Sequence, residues 1–243
     1  MKYGYYADDE IPESIPLDKK SIVSYKTNSH GYRCPEWTPL PEGKKNVVVL
    51  GCSHTFGEGL DEGQVWVDQL YKKLDQKRLR FWNLGQPGAS PEKCVRILYG
   101  SEKVLFPKII IVCWPFWSRR ERLDSHAQSL TSDDPLLKTE NDQTDQYNFL
   151  KCVFQVEKFG QYNNASVFHC FAQDVYMIPD TNNVFDKTSL RACWPVWDDY
   201  RGVGARRTIE KEDDIAKDGK HYGPKHHLTF AEDLYNRFGS KIK

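Results

Sequence analysis

The stretch NVVVLGCS, residues 46–53, joins an uninterrupted aliphatic run to a turn of small residues. A run that is apolar at every position is typical of a strand with both faces buried, as in a parallel sheet. The segment QVWVDQLYKKL (64–74) then repeats large apolar residues every four positions, at Trp66, Leu70 and Leu74, which predicts a helix with one buried face. A buried strand followed by such a helix is the repeating unit of α/β folds.

The same alternation continues along the chain. The segment FWNLGQPGAS (81–90) is predicted to be a strand and a loop, and further strands are predicted in KIIIVCW (108–114) and SVFHCFAQD (166–174). Helices are predicted after the Ser90 cap, in FLKCVFQVEKFG (149–160) and in TFAEDLYNRFG (229–239), with Gly239 as C-cap. The pattern predicts an α/β three-layer sandwich with a mainly parallel sheet. Right-handed crossovers would bring the C-terminal ends of the strands to one edge.

The organisation of the chain is that of one domain with an appendage. At 243 residues the chain is long enough for a full sheet-and-helix core. Residues 1–43 are rich in proline and charge, and we expect an N-terminal arm with a short strand or hairpin around SIVSYKTN (21–28), followed by the main domain at 44–243. The polar segment 118–146 is predicted to be a surface loop or lid.

Composition excludes several classes of protein. The 34 basic and 34 acidic residues cancel, so no long-range field favours nucleic acid or an anionic membrane. The seven cysteines are odd in number and lack C-x-x-C spacing, which indicates reduced thiols and a reducing compartment. No signal-peptide pattern or run of eighteen apolar residues occurs, so we expect a soluble protein with no membrane span. With no Cys/His spacing or carboxylate array, no metal and no cofactor are expected.

Two remote segments contain residues suited to nucleophilic catalysis. Gly51-Cys52-Ser53-His54-Thr55-Phe56-Gly57 lies where the first buried strand gives way to a helix, the edge at which α/β proteins collect their functional groups. A serine hydroxyl needs a base that is itself oriented by a third group. Near the C-terminus, Asp218 and His221 are three residues apart, a spacing that would place them on the same side of one helical turn and let Asp218 fix the imidazole tautomer.

The G-x-S-x-T-x-G block and the later D-x-x-H block resemble the SGNH/GDSL hydrolase family over roughly residues 46–238. The resemblance implies a flavodoxin-like α/β domain in which Ser53 is the nucleophile, His221 the base and Asp218 its partner. It also implies an oxyanion hole formed by the amides of Ser53 and Gly88, the latter in Asn83-Leu84-Gly85-Gln86-Pro87-Gly88. The arm motif NSHGYR (28–33) is similar to a segment that precedes some domains of this kind.

The sequence departs from the family pattern in two places. Cys52 replaces the aspartate that usually precedes the nucleophile. After the third strand the family has G-x-N-D, whose asparagine donates to the oxyanion, but this chain has WPFWSR (114–119). Losing one such donor costs about 10²–10³ in turnover unless a neighbour substitutes. Ser118, Arg119 or the Trp114 indole N–H are the candidates for that role.

The same three residues, together with His54, are candidates for substrate binding. The His54 side chain, one position after the nucleophile, is expected to point away from it. Two other histidines have structural interpretations: His169 is expected to be a core residue, and His227 either matches a second histidine of the family's last block or makes a structural hydrogen bond.

The resemblance therefore implies a serine esterase that forms an acyl-enzyme on Ser53 and releases it with water activated by His221. Small acyl groups, particularly carbohydrate O-acetyl esters, are the favoured substrates because the aromatic-rich loops suit a sugar face. Two alternatives stay open. One is an acyltransferase with the same triad, and the other is an inactive SGNH-fold binding or structural module. Similar domains occur in bacteriophage genomes, so the expected location is cytoplasmic or virion-associated. The sequence does not indicate an oligomeric state.

Overall fold

A computed structural model describes residues 23–121, 129–130, 142–171 and 214–242. Its strands are β1 (Lys45–Gly51), β2 (Leu79–Asn83), β3 (Ile109–Trp114), β4 (Arg120–Glu121), β5 (Ser129–Leu130) and β6 (Ser166–Phe171). Its helices are α1 (Ser53–Phe56), α2 (Trp66–Lys73), α3 (Pro91–Leu105), α4 (Asp142–Asn163) and α5 (Pro224–Phe238).

The centre of the molecule is a four-stranded parallel sheet with the order β2-β1-β3-β6. Every residue of β3 is buried, as is every residue of β1 after Lys45. This double-sided burial explains why both strands are apolar at nearly every position. Because the strands are parallel, their C-terminal ends lie along one edge, and β1 runs into α1 there.

Helices cover both faces of the sheet. On one face, Ile111 of β3 lines a small cavity with Leu70 of α2 and Leu234 of α5. On the other face, Trp114 packs edge to face against Phe149 of α4, with ring centroids 5.3 Å apart. Ile111 and Trp114 are three positions apart, and residues an odd number of positions apart on a strand point to opposite faces of the sheet. Helix α3 packs beside α4. The predicted three-layer α/β sandwich is therefore confirmed.

The end of the arm packs against the turn that follows β1, residues 51–60. The Arg33 guanidinium donates to the carbonyls of Phe56 at 3.3 Å, Gly57 at 2.7 Å and Leu60 at 2.8 Å. Gly59 N–H donates to the Tyr25 hydroxyl at 2.7 Å. Residues 23–44 contain no strand, so the strand predicted over 21–28 is absent from its described part, 23–28. The alternating side chains serve loop packing instead.

The segment predicted as a loop over 118–146 contains regular structure. Residues 120–121 pair with 129–130 in an antiparallel ribbon, and α4 begins at Asp142. The prediction was wrong here because the first two turns of α4, DQTDQYN (142–148), are polar. The apolar residues from which a helix was predicted begin only at Phe149. Positions 122–128 and 131–141 lie outside the described residues, as do 172–174 of the fourth predicted strand.

Two further observations concern the described ranges as a whole. None of their helices has the length and apolar character needed to cross a lipid bilayer. The six cysteines they contain are free thiols. Burial raises the pKa of the Cys34 and Cys152 thiols to about 12, so these side chains behave as small apolar groups rather than nucleophiles.

Candidate active site

Ser53 is the first residue of α1 and lies two residues past the end of β1. Its position depends on Gly51, because a Cβ atom there would lie 2.1 Å from Thr55 Oγ1 and 2.8 Å from the Cys113 carbonyl oxygen. The short helix then ends at Gly57, which has φ 83° and donates its N–H to the Ser53 carbonyl at 2.7 Å. A left-handed residue of this kind favours glycine. The two glycines therefore fix a turn that holds the serine at the sheet edge.

Asp218 and His221 lie in a tight turn closed by a bridge between Ile215 and Tyr222. The sequence prediction of one helical turn was wrong, because Gly219 adopts φ 69° and breaks helical geometry. The two side chains nevertheless meet, with Asp218 Oδ2 2.5 Å from His221 Nδ1.

The Asp218 carboxylate is held in its ionised form. Burial alone would raise the pKa of Asp218, but the backbone N–H groups of Lys220 and His221 donate to Oδ1 at 2.9 and 3.1 Å and the His221 ring bonds to Oδ2. Together these hydrogen bonds lower the pKa below its usual value. A carboxylate at Nδ1 fixes the imidazole tautomer that carries its proton on that nitrogen.

The other ring nitrogen of His221 faces the serine. Nε2 lies 2.9 Å from Ser53 Oγ. When the proton of the neutral ring is on Nδ1, Nε2 accepts a hydrogen bond from the Ser53 hydroxyl. Ser53, His221 and Asp218 thus form a continuous hydrogen-bonded chain across 168 residues of sequence. This order of groups is the one that activates a serine hydroxyl for attack on an acyl carbon.

Two backbone amides were predicted to form an oxyanion hole, those of Ser53 and Gly88. Neither amide donates a hydrogen bond within the described part of the chain. Gly88 has φ 67°, and a Cβ atom there would meet nothing within 4 Å, so its backbone is open to a ligand. The neighbouring Gly85 has a different use: its N–H donates to Asn83 Oδ1 at 3.0 Å. The assignment of Gly88 as donor stays a prediction.

The Trp114 indole is not available for substrate binding or for oxyanion stabilisation. Trp114 is fully buried, and its Nε1–H donates to His169 Nδ1 at 2.9 Å. The sequence prediction fails at this residue because a β3 side chain that faces α4 points into the core. The core role predicted for His169 is confirmed, since His169 is 1% exposed and its Nε2 lies 2.8 Å from Glu157 Oε1.

Ser118 and Arg119 follow β3 in a turn, and both are half-buried. The Arg119 guanidinium donates to the Ala89 carbonyl at 3.3 Å, next to the Gly88 loop. Burial raises the pKa of Cys52 and of Glu58, and the Arg119 charge opposes that rise in both. The cation therefore lies on the side of the molecule that carries Ser53.

His54 packs beside the turn over 215–222 that carries Asp218 and His221, called the base turn below. Its ring centroid is 5.4 Å from that of His221 and 5.3 Å from that of Tyr222. His227 is buried, and its Nδ1 accepts the Trp66 N–H at 3.1 Å, which supports the structural interpretation of this histidine. No group of three or more His, Cys, Asp or Glu side chains within the described ranges could hold a metal ion.

Sequence reasoning missed one charged group at the site. Glu58 Oε2 lies 3.4 Å from His221 Nε2, on the side of the ring that faces Ser53. From the sequence alone, a glutamate between two glycines is expected to be an exposed loop residue. Its position beside the His221 ring depends on the tertiary structure of the turn that follows Gly57.

Solved structures similar to this chain include three esterases or related proteins. TesA is 16% identical with a TM-score of 0.51 over 80% of this chain and 98% of its own. The psychrotrophic esterase EstA of Pseudoalteromonas sp. is 15% identical with a TM-score of 0.50, covering 82% and 99%. The family 3 carbohydrate esterase of Clostridium thermocellum is 16% identical with a TM-score of 0.50, covering 82% and 97%.

The chain has an SGNH/GDSL-type fold. No protein-family model and no curated protein matches the sequence. At these identities the similarity establishes the SGNH/GDSL fold and leaves the chemistry to be argued from the site itself.

Proposed function

We propose that the protein is a serine esterase that hydrolyses carboxylic esters through an acyl-enzyme on Ser53. The observation that carries the proposal is the 2.9 Å contact between Ser53 Oγ and His221 Nε2, with Asp218 bonded to the opposite ring nitrogen. A serine in a structural turn has no need of an oriented base, whereas a nucleophile does.

The steps follow from these atoms. Ser53 Oγ attacks the acyl carbon as its proton passes to His221 Nε2, and the tetrahedral oxyanion is received by the amides of Ser53 and Gly88. The ester C–O bond then breaks, and the leaving alkoxide takes the proton from Nε2. Water attacks the acyl-enzyme, gives a proton to Nε2, and Ser53 recovers that proton when the carboxylic acid leaves.

Small acyl esters, with acetyl groups on carbohydrate as the first to test, are the substrates that we propose. Support comes from the carbohydrate esterase with the same fold and from the crowding around the nucleophile, since Ser53 is only 6% exposed. A crowded serine favours a short acyl chain. We expect kcat/KM for p-nitrophenyl acetate to exceed that for the octanoate by at least about tenfold.

One observation favours the rival interpretation of an inactive module. The position of the family's oxyanion asparagine falls in WPFWSR (114–119), where Trp114 is buried and bonded to His169. A fluorophosphonate probe separates the two interpretations, because it labels only an activated serine. We expect labelling of the wild type and of Ser240→Ala, an exposed control, and none of Ser53→Ala or His221→Ala. An unlabelled wild type would establish the inactive module.

Acyl transfer to an alcohol would use the same atoms as hydrolysis. Product analysis with and without an added sugar acceptor distinguishes the two, because hydrolysis releases the free acid at the same rate in both. A new ester formed at the expense of acid would identify a transferase.

A further inference from the structure

Two carboxylates flank the His221 ring, one at each nitrogen. Asp218 contacts Nδ1 at 2.5 Å, and Glu58 Oε2 lies 3.4 Å from Nε2, the nitrogen that also faces Ser53. Glu58 follows Gly57 directly, and its backbone N–H donates to the Ser53 carbonyl at 3.1 Å. The glutamate is therefore anchored to the nucleophile turn itself.

The interaction of Glu58 with His221 depends on the charge of the ring. While the ring is neutral, Nε2 presents a lone pair to the Ser53 hydroxyl, and an anion beside that lone pair gains nothing. Once Nε2 carries the serine proton, the imidazolium and the carboxylate attract each other. A contact that is stronger in the charged state than in the resting state lowers the barrier to forming that state.

We propose that Glu58 is a positioning residue that stabilises the imidazolium form of His221 during acyl transfer and thereby sets the acid limit of activity. The inference rests on the proposed function, in which His221 takes up the Ser53 proton in each half of the reaction. Neither the motif nor the fold similarity assigns a role to this side chain.

Charged groups from two segments of the chain act on Glu58 and His221. From the base turn, Asp218 and Lys220 face Glu58, and Arg119 faces it from the segment after β3. Burial raises the pKa of Glu58 and Asp218 raises it further, whereas His221, Lys220 and Arg119 act in the opposite direction. The His54 ring also lies beside His221, with ring centroids 5.4 Å apart.

Burial raises the pKa of Glu58, and its carboxylate lies 3.4 Å from the ring nitrogen of His221 that faces Ser53. An anion at that distance favours the protonated form of the ring. Removing the carboxylate charge disfavours the protonated ring, so the base should survive to lower pH.

The test compares Glu58→Gln with Glu62→Gln. Glutamine keeps the shape of the side chain and removes only the charge. Glu62 is four residues away, its side chain is 80% exposed and it pairs with Lys26, so it controls for loss of a loop charge. For Glu58→Gln we expect plateau kcat to fall about three- to tenfold and the acid limb of kcat/KM to move to lower pH by about half to one unit. Glu62→Gln should match the wild type in both.

A second measurement does not require turnover. The ring resonances of His221, followed by NMR across pH, should convert to the neutral form at lower pH in Glu58→Gln than in the wild type and in Glu62→Gln. An unchanged titration, or one displaced to higher pH, overturns the inference even if the enzyme is an esterase. Failure of fluorophosphonate labelling would overturn the proposed esterase function, whereas the NMR result would still show whether Glu58 stabilises the imidazolium form of His221.

Discussion

The buried indole of Trp114 belongs to a hydrogen-bonded chain inside the core. Its N–H donates to His169 Nδ1, which leaves the Nε2–H of the same ring to donate to Glu157. A buried donor that loses its acceptor costs about 1–3 kcal/mol. This energetic cost, rather than a catalytic role, explains why the buried Trp114 indole has a polar partner in His169.

Replacing Trp114 with phenylalanine tests this assignment. The variant leaves the His169 ring without its donor and trims the core, so we expect the free energy of unfolding to fall by about 1–3 kcal/mol. Turnover of the folded protein should stay within about threefold of wild type. Urea denaturation and ester hydrolysis measure the two effects. A fall in kcat of about 10²–10³ with little loss of stability would instead make the indole an oxyanion donor.

At the scale of elements, a side chain of α5 caps the start of α2. The N-cap residue Val65 makes no side-chain hydrogen bond, and the first amide of α2, that of Trp66, donates to His227 Nδ1 from α5. Burial, together with the nearby rings of His54, His226 and His221, lowers the pKa of His227 well below its usual value. The ring is therefore neutral in the folded protein and serves as an acceptor.

This cap makes stability depend on pH with a definite sign. Because the pKa of His227 is depressed by folding, the unfolded chain binds the extra proton below the ordinary value of 6.5. Stability is therefore complete above that pH and is lost as the pH falls, by about 1.4 kcal/mol or roughly 3 °C of Tm per pH unit. His227→Gln, which keeps an acceptor but does not titrate, should flatten the fall of Tm between pH 6.5 and 5. The exposed His30→Gln should not.

Some of these elements could be predicted from the sequence and others could not. The four strands of the parallel sheet are mainly apolar runs, so their composition identified them, whereas the two-residue strands β4 and β5 were missed. The start of α4 and the turn at Gly219 were missed because neither depends on hydrophobic periodicity. Ser53, His221 and Asp218 could be selected from the sequence because they stand in two motifs of fixed spacing, G-x-S-x-T-x-G and D-x-x-H. Glu58 could not, since its place beside His221 is decided by tertiary contacts of the turn that follows Gly57.

At the scale of the whole molecule, the site exists only because the loop after α1 docks on the turn that carries Asp218 and His221. Lys217 N–H donates to the Gly59 carbonyl at 3.0 Å, and Lys217 Nζ bonds to Asp61 at 2.6 Å. The two segments are joined by no common element of secondary structure. These contacts help to hold Ser53 and His221 at their separation of 2.9 Å.

Gly59 is a point of that docking where no side chain fits. It has φ 76°, and a Cβ atom there would lie 2.7 Å from Ala216 Cβ and 2.8 Å from Asp218 Cγ. Gly63 offers a matched control, because it has φ 81° but a Cβ atom would come no closer than 3.5 Å to Lys72 Nζ. Alanine at either position carries the same left-handed strain of about 1–2 kcal/mol. Only alanine at position 59 also pushes against the base turn.

We therefore expect Gly63→Ala to lose only the stability that left-handed strain costs, whereas Gly59→Ala should lose at least that much and should also lose activity. A displacement of about 1 Å between base and nucleophile costs on the order of 10²-fold in turnover, so Gly59→Ala should lose at least about tenfold in kcat and in the rate of fluorophosphonate labelling. Gly63→Ala should label at the wild-type rate. Equal labelling rates in the two variants would show that the serine is activated without the docked turn, which would remove His221 as its base.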